Sequence, residues 1–192
     1  MTGATAFIAF LDASVLYPAT VRNVLMYLAA ANLFRPLWSQ RVHQEGMAAL
    51  LRDRPDLRPA RIARTRLLME AHVNDGTVTG YEGLINRLTL PDPDDRHVLA
   101  AAIHVGASVI VTMNLRDFPS ATLAVHGLTA RSPDTFVRRL IGADREAAAA
   151  AMRTHRQSLL KPPQTAAEYI ATIAARGMTE TAAALRHFSD AL

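Results

Sequence analysis

Short apolar runs alternate along the chain with longer amphipathic stretches. The runs "TAFIAFLDAS" (5–14), "GTVTGY" (76–81), "SVIVTM" (108–113) and "LAVHGLTA" (123–130) predict β-strands, because brief apolar segments bounded by turn residues are typical of buried strands. Helical spacing of apolar residues predicts helices over residues 21–34, 36–51, 58–72, 92–106 and 132–141. Strands that alternate with helices favour an α/β fold with a parallel sheet covered on both faces.

Residues 142–192 carry no strand pattern and predict helices alone. The alanine-rich segment "DREAAAAAMRTHRQSLL" is followed by a break at "KPPQ", and "TAAE" (165–168) has the spacing of a capping box at a helix start. The sequence therefore predicts a domain over residues 1–141 and a helical C-terminal extension over residues 142–192.

Composition limits the chemistry and the location of the protein. Half of the 192 residues are hydrophobic, which supports a folded core, and there is no cysteine. Disulfides and thiolate metal sites are thus excluded, so a metal must be held by carboxylate, carbonyl or histidine. The start of the chain has no basic region of a signal peptide, and no apolar stretch reaches the roughly 20 residues that span a bilayer. We expect a soluble cytoplasmic protein without membrane association.

Acidic and amide side chains lie where strands end and helices begin. Asp12 ends the first predicted strand, and Asn114 and Asp117 follow the strand at 108–113. Asp95 opens the helix that leads into that strand, and Glu45 lies within the helix at 36–51. Because ligands of parallel sheets gather at the carboxyl ends of the strands, we expect these side chains to converge there.

Converging carboxylates repel one another, and their burial makes simultaneous ionisation costly. A hard divalent cation such as Mg²⁺ or Mn²⁺ removes that cost, because both ions prefer oxygen ligands. Two such ions can activate a water and stabilise the leaving oxygen of a phosphodiester. The pattern is therefore compatible with metal-assisted phosphodiester hydrolysis.

Four segments in a fixed order resemble PIN-domain ribonucleases, in particular the VapC-like toxins of type II toxin–antitoxin systems. They are "FLDASVLYP", "SQRVHQEGMAAL", "DPDDRHVLAAAI" and "VIVTMNLRDFP", which lie within residues 6–141. The resemblance implies a three-layer α/β/α fold with a central parallel sheet. It also implies an endoribonuclease toxin that depends on Mg²⁺ or Mn²⁺, has RNA as its substrate and is inhibited by a cognate antitoxin protein.

The resemblance also implies which residues are catalytic and bind metal. By position in the matching segments these are Asp12, Glu45, Asp95 and Asp117. Four neighbours are secondary candidates, namely Ser14, Asp94, Thr112 and Asn114. Many family members have Asn where Ser14 stands, and often Asp where Asn114 stands, so the fourth ligand is Asp117, Asn114 or both. Asp94 is an alternative to Asp95, whereas Asp92 is expected only to cap the helix.

The net charge of +4 is carried almost entirely by arginine, with Lys161 as the single lysine. A cluster lies in "RDRPDLRPARIARTR" (52–66), and guanidinium groups bind phosphate well because of their planar, forked geometry. Arg58, Arg61 and Arg64 are the RNA-binding candidates; an ordinary solvated helix face remains the alternative for them.

Other functions and contacts also remain open. A catalytically silent PIN-like module that binds RNA or protein would keep the fold and the arginines but need no metal; the acidic residues count against it. A phosphatase with a nucleophilic Asp12 would need a second acid at Ser14, and a receiver domain would need a lysine late in the sheet. In the C-terminal extension, Tyr169, Ile170 and Ile173 are expected to contact the core, a second copy in a homodimer, or the antitoxin.

Overall fold

A five-stranded, entirely parallel sheet forms the centre of the fold. The computed structural model describes residues 7–73 and 75–192, and for Arg61 and His72 it describes the backbone alone. The strands, in chain order, are β1 (Ile8–Leu11), β2 (Arg35–Ser39), β3 (Thr77–Val78), β4 (Val109–Val111) and β5 (Thr129–Arg131). They lie side by side in the order β3–β2–β1–β4–β5. The predicted α/β class with a parallel sheet is thus confirmed.

Helices connect the strands and continue beyond them. Those of the first half are α1 (Ala13–Leu16), α2 (Ala19–Ala30), α3 (Gln40–Asp53), α4 (Pro59–His72), α5 (Glu82–Ile85) and α6 (Arg96–His104). Those of the second half are α7 (Ser120–Ala124), α8 (Pro133–Ala143), α9 (Arg145–Ser158), α10 (Ala166–Ala175) and α11 (Thr179–Arg186). Single 3₁₀ turns occur at Pro93–Asp95, Leu115–Asp117 and Ser189–Ala191.

The strand order reverses between β1 and β4. From β1 the chain moves outward through β2 to β3, then crosses back to β4 on the other side of β1. Because crossovers between parallel strands are right-handed, the connections on either side of this reversal cover opposite faces of the sheet. Helix α6 packs against β1, β2 and β4. Helix α2 contacts β2 and also packs against α9. The reversal opens a crevice at the carboxyl ends of β1 and β4, the usual place for a ligand in such sheets.

Two predicted helices were wrong in extent. The helix predicted over 36–51 begins at Gln40, because residues 35–39 form strand β2, which pairs with β1 and buries Trp38 completely. The helix predicted over 21–34 ends at Ala30, and Asn32 beyond it takes a left-handed backbone with φ of 58°. The run at 123–130 was expected to hold a short strand, and Thr129–Arg131 is that strand, preceded by helix α7 and the turn at Gly127 (φ 69°).

The other predicted strands and helices are confirmed within a few residues. Two residues of the first predicted strand, at positions 5 and 6, lie outside the described part of the chain. Gly106 ends α6 with φ of 64°, as a helix-terminating glycine does. Ser132 caps α8, and the predicted capping box of Thr165 and Glu168 is present at α10.

The C-terminal extension is packed onto the sheet domain. The ring of Tyr27 on α2 lies 5.0 Å from that of His155 on α9, whose Nδ1 is 2.8 Å from the Tyr169 hydroxyl. Burial lowers the pKa of His155 to about 4, so this ring is neutral at physiological pH. Tyr169, Ile170 and Ile173 are buried within the same chain. These three residues therefore contact the core and present no surface to a partner.

A buried carboxylate fixes the end of the C-terminal extension. Asp134, in the first turn of α8, accepts hydrogen bonds from the backbone N–H groups of Glu180 (2.9 Å) and Thr181 (2.7 Å). These N–H groups belong to the first turn of α11, where a helix lacks internal acceptors and favours negative charge. The predicted boundary after residue 141 consequently falls within closely packed helices. Among the described residues, no helix is both long and apolar enough to cross a bilayer.

Candidate active site

Asp12 lies at the reversal point of the sheet, directly after β1. Its backbone N–H donates to the carbonyl of Val111 at the end of β4. Its side chain is 5% exposed and caps α1 by accepting a hydrogen bond from the Ala13 N–H at 2.7 Å. A buried carboxylate at the mouth of two strands is costly unless polar groups surround it.

Two hydroxyl groups supply that environment on the same carboxylate oxygen. Ser14 Oγ donates to Asp12 Oδ2 at 2.6 Å, and Thr112 Oγ1 donates to the same oxygen at 2.8 Å. The two hydroxyls are in turn fixed by the loop after β4, whose backbone N–H groups at Met113 and Asn114 donate to them. Ser14 and Thr112, two of the secondary candidates, thus both contact Asp12. The network orients Asp12, and among the described residues its other oxygen accepts a hydrogen bond only from the backbone N–H of Ala13.

Helix α3, which carries Glu45, is held against α1 by a close aromatic contact. A Cβ atom on Gly46 would lie 1.8 Å from the Tyr17 ring, so only glycine permits this approach. The Tyr17 hydroxyl donates to the carbonyl of His43 at 2.7 Å, and burial raises the pKa of Tyr17 to about 12. Glycine inside a helix costs about 1 kcal/mol relative to alanine. At this position the cost is offset by packing that brings α3 beside the helix that begins at Asp12.

Glu45 is bound by one exposed and one buried neighbour. Arg41, one helical turn earlier, lies 2.9 Å from Oε1, and His97 Nε2 lies 3.0 Å from Oε2. The His97 ring is 1% exposed. Its Nε2 lies within ion-pair distance of Oε2 but makes no aligned hydrogen bond with it. Burial would raise the pKa of Glu45, but contacts with His97 and Arg41 lower it overall. Glu45 is therefore ionised at neutral pH.

Asp95 ends the 3₁₀ turn that leads into α6. The Asp92 side chain caps this turn by accepting a hydrogen bond from the Asp94 N–H at 2.9 Å, as predicted. Asp94 is exposed, whereas Asp95 is half-buried. Burial raises the pKa of Asp95 to about 6, and the charges of three other carboxylates add to the effect. Those carboxylates are Asp12, Asp92 and Asp117.

Asp117 closes the loop beyond β4. The loop forms a 3₁₀ turn in which the Asp117 N–H donates to the Asn114 carbonyl, and the buried ring of Phe118 anchors it. The Asp117 side chain is 16% exposed and has Arg116 Nε at 3.6 Å. Asn114 is exposed. Of the two candidates for the fourth position, only Asp117 carries a charge that acts on Asp95.

The carboxylate side chains of the candidate site are chemically suited to bind a hard divalent cation. Burial, followed by the charges of Asp12, Asp92 and Asp117, raises the pKa of Asp95, and carboxylates are the ligands that Mg²⁺ and Mn²⁺ prefer. In the part of the chain that the structure describes, however, no three His, Asp or Glu side chains are arranged so that they could hold a metal ion as they stand. Glu45 in particular is directed to Arg41 and His97.

The predicted RNA-binding arginines lie on α4 and its approach. Arg58 and Arg64 are exposed, and the side chain of Arg61 lies outside the described residues. Their neighbours are partly neutralised: Arg54 forms a two-point ion pair with Asp56, and Arg66 pairs with Glu70. Arg52 and Arg54 of the same cluster are exposed as well, so exposure alone does not single out the predicted arginines.

A groove of about 610 Å³ opens between α2, α3 and α4, and we call it the α2–α4 groove. Its apolar walls include Val21, Leu50, Leu57 and Ile62. Tyr17 and Met113 line it at the end next to Asp12. Arg176, from the C-terminal extension, also lines it, so both parts of the chain form this surface.

The chain belongs to the PIN domain family, which it matches over residues 9–116, more than half of its length. Residues 133–187 match a second family, the VapC50 C-terminal domain. A Mycobacterium tuberculosis protein named "Putative ribonuclease VapC50" is 37% identical over 86 residues, which are 45% of this chain and 50% of that protein. The matched stretch thus spans about half of the relative's length. No solved structure matches the chain.

These matches confirm the resemblance to PIN-domain, VapC-like proteins that four sequence segments indicated. His97, Arg41 and Tyr17 were not among the predicted site residues. For His97 the sequence offers only its position two residues after Asp95, because its contact with Glu45 joins distant parts of the chain. The roles of Asp12, Glu45, Asp95 and Asp117 stay predictions.

Proposed function

We propose that the protein is a divalent-metal-dependent endoribonuclease, a VapC-like toxin that acts in the cytoplasm and is inhibited by a cognate antitoxin. The observation that carries this proposal is the buried Asp12 carboxylate at the sheet reversal, which Ser14 and Thr112 orient through hydrogen bonds. The charge of Asp12 also helps to raise the pKa of Asp95, after the larger effect of burial. Membership of the PIN domain family and the name of the M. tuberculosis relative support the same chemistry.

Asp12, Glu45, Asp95 and Asp117 would hold Mg²⁺ or Mn²⁺. The bound ion supplies an activated water at neutral pH and charge to stabilise the phosphodiester transition state. The chain's own contribution is orientation: Ser14 and Thr112 fix Asp12, and Phe118 anchors the loop of Asp117. We favour Asp95 over Asp94 as the metal ligand because Asp94 is exposed. Asn114 is a secondary candidate for the ligand position that we assign to Asp117.

RNA cleavage by the purified protein tests the proposal directly. We expect internal cuts in RNA with Mn²⁺ or Mg²⁺ and none with EDTA, and mapping of the cut ends will identify the site. Binding of RNA without cleavage under all three conditions would favour the rival proposal, a catalytically silent PIN-like module. The charges of Asp12, Asp92 and Asp117, which act on Asp95, argue against that rival, because a module that only binds RNA or protein does not need such repulsion.

Added Mn²⁺ is expected to stabilise the protein against heat. At a concentration 100 times the dissociation constant, mass action adds about 2.7 kcal/mol, or roughly 5–10 °C in melting temperature for a chain of this size. The rise should be full at pH 7.5 and smaller at pH 5, because protons compete for Asp95 below its pKa of about 6. Differential scanning fluorimetry at both pH values measures it.

Two single substitutions provide the matched controls for this stabilisation. Asp95→Asn should reduce the Mn²⁺-dependent rise, whereas Asp94→Asn, an exposed neighbour in the same turn, should keep it. In EDTA, the melting temperature of the wild type should fall relative to that of Asp95→Asn as the pH rises from 4 to 6. The sign follows because the folded state, with the higher pKa, holds the proton longer than the unfolded state. A melting temperature indifferent to Mn²⁺ would contradict the metal site.

The predicted RNA-binding arginines are expected to guide RNA toward the site through phosphate contacts. Replacing Arg58, Arg61 and Arg64 together by glutamine should weaken binding of many RNA sequences and flatten its salt dependence, because fewer counterions are released. Fluorescence anisotropy at several salt concentrations measures both effects. The control removes three exposed charges from α8 and α11, at Arg138, Arg139 and Arg186. Equal effects of the two triple variants would assign the cluster to an ordinary solvated surface.

For the antitoxin we propose the α2–α4 groove as the docking site. The groove has apolar side chains as well as arginines on its walls, which suits an amphipathic segment. It is lined by Met113, whose N–H donates to Ser14 beside Asp12, so a segment bound there would lie close to the catalytic end of the sheet. The buried state of Tyr169, Ile170 and Ile173 removes them as a competing docking surface. A homodimer stays a prediction.

A further inference from the structure

Glu45 is held between two residues of very different exposure. The ion pair of Arg41 with Oε1 lies on the outer face of α3, with the two side chains 42% and 39% exposed. His97, opposite Oε2, is 1% exposed and lies in the first turn of α6. Exposed ion pairs contribute little to stability and exchange readily. Oε1 is thus easily released from Arg41, whereas Oε2 faces a group that cannot move into solvent.

The His97 ring is fixed in place by burial. Both of its nitrogens are buried, and neither makes an aligned hydrogen bond among the described residues. Nε2 nevertheless lies 3.0 Å from Oε2 of Glu45, within ion-pair distance. Because buried polar groups without partners are costly, the ring favours a carboxylate that stays beside Nε2.

The contact also joins two parts of the candidate active site. His97 lies two residues after Asp95, and Glu45 projects from α3, which starts at the end of β2. The contact between α3 and the start of α6, buried on the His97 side, therefore links Glu45 to the turn that carries Asp95. Side chains that bind a metal commonly depend on a neighbouring residue that contacts the side chain, not the metal, and fixes its orientation.

We propose that His97 is a positioning residue that holds Oε2 of Glu45, so that Oε1 is the oxygen that turns from Arg41 to a divalent metal ion. The inference rests on the proposed function, because it requires Glu45 to be a metal ligand. It adds a residue that acts through Glu45 and touches neither metal nor RNA. Arg41, in this arrangement, occupies the ligand oxygen while no metal is bound.

Two substitutions of similar polarity separate positioning from packing. In His97→Gln the side-chain amide nitrogen reaches about as far as Nε2, whereas in His97→Asn it reaches only as far as Nδ1. We expect His97→Asn to weaken Mn²⁺ affinity roughly 10- to 100-fold, and His97→Gln to stay within about threefold of the wild type. Isothermal titration calorimetry on the full chain without RNA measures the Mn²⁺ affinity of each variant. For variants that bind too weakly for calorimetry, the Mn²⁺-dependent rise in melting temperature replaces it.

Repeating both substitutions in a Glu45→Gln background tests whether His97 acts through Glu45. There the difference between His97→Asn and His97→Gln should disappear. A difference that persists without the Glu45 carboxylate would mean that His97 acts through packing, and it would overturn the inference. Equal Mn²⁺ affinity of the two variants in the wild-type background would overturn it as well.

The same measurements distinguish failure of the inference from failure of the proposed function. If the wild type binds no Mn²⁺ and cleaves no RNA, the proposed function fails, and the role of His97 fails with it. If the wild type binds Mn²⁺ and cleaves RNA but the two His97 variants do not differ, only the role of His97 is wrong. Circular dichroism of each variant in EDTA confirms that the proteins compared are folded.

Discussion

Asp12→Asn is expected to lower the rate of RNA cleavage by roughly 100-fold or more, which corresponds to at least about 2.7 kcal/mol of transition-state stabilisation. Asp12 is the most buried of the four proposed ligands and lies where the strand order reverses. Replacing its carboxylate by an amide removes a negative charge that metal binding requires. Single-turnover cleavage at saturating Mn²⁺, followed by a Mn²⁺ titration, measures the loss and its cause.

The fold should survive this substitution because two effects oppose each other. The charge-assisted hydrogen bonds from Ser14 and Thr112 weaken, since both hydroxyls donate to Oδ2. The repulsion that raises the pKa of Asp95 is relieved at the same time. We expect a net loss of about 2 kcal/mol or less, or roughly 4–8 °C in melting temperature.

An exposed acid elsewhere provides the matched control. Asp190→Asn removes the same charge near the end of the C-terminal extension and should leave cleavage unchanged. If Asp12→Asn cleaves RNA at the normal rate with the normal metal dependence, the assignment of the site is wrong.

The neighbourhood of Asp12 was predictable because it depends on local signals. A continuous apolar run that ends in an acid indicates a buried strand, and the carboxyl ends of parallel strands meet at one edge. Asp12 and Thr112 could thus be expected to lie close together, and Thr112 does donate to Asp12. The cap at Asp92 and the helix end at Gly106 are equally local, since each depends on a few consecutive residues.

Strand β2 and the Glu45–His97 contact could not be predicted in this way. The apolar spacing of α3 continues back through Leu37 and Trp38, so the pattern alone extends the helix. Only pairing with β1 and β3 makes those residues a strand. Likewise, an isolated histidine on a helix carries no signal for a partner, and the His97 contact arises only when α6 packs beside α3. The pKa of Asp95 depends on burial and charges that come together only in the fold.

The second large effect concerns control by the antitoxin. We expect Ala19→Trp to make the toxin escape its antitoxin while it keeps its nuclease activity. Ala19 is exposed at the start of α2 and lines the α2–α4 groove, so an indole at this position would enter the groove without disturbing the core. The substitution leaves the net charge unchanged, and electrostatic attraction of RNA should therefore be preserved.

Both growth and inhibition measure the escape. Expression of the wild type should arrest growth, and co-expression of a small antitoxin encoded beside its gene should restore it. With Ala19→Trp the arrest should persist. In vitro, the antitoxin concentration needed for half-inhibition of cleavage should rise roughly 30-fold or more, because blocking a central interface pocket costs about 2 kcal/mol or more.

Ala183→Trp is the matched control, since Ala183 is an exposed alanine on α11 that lines a different groove. It should remain fully inhibited. If Ala19→Trp is inhibited as well as this control, the α2–α4 groove is not the docking site. If instead the control escapes, the antitoxin binds the C-terminal extension at α11. The extension should not simply be deleted for this test, because α9 packs on α2 and Asp134 caps α11. Its removal would expose core that a single substitution leaves intact.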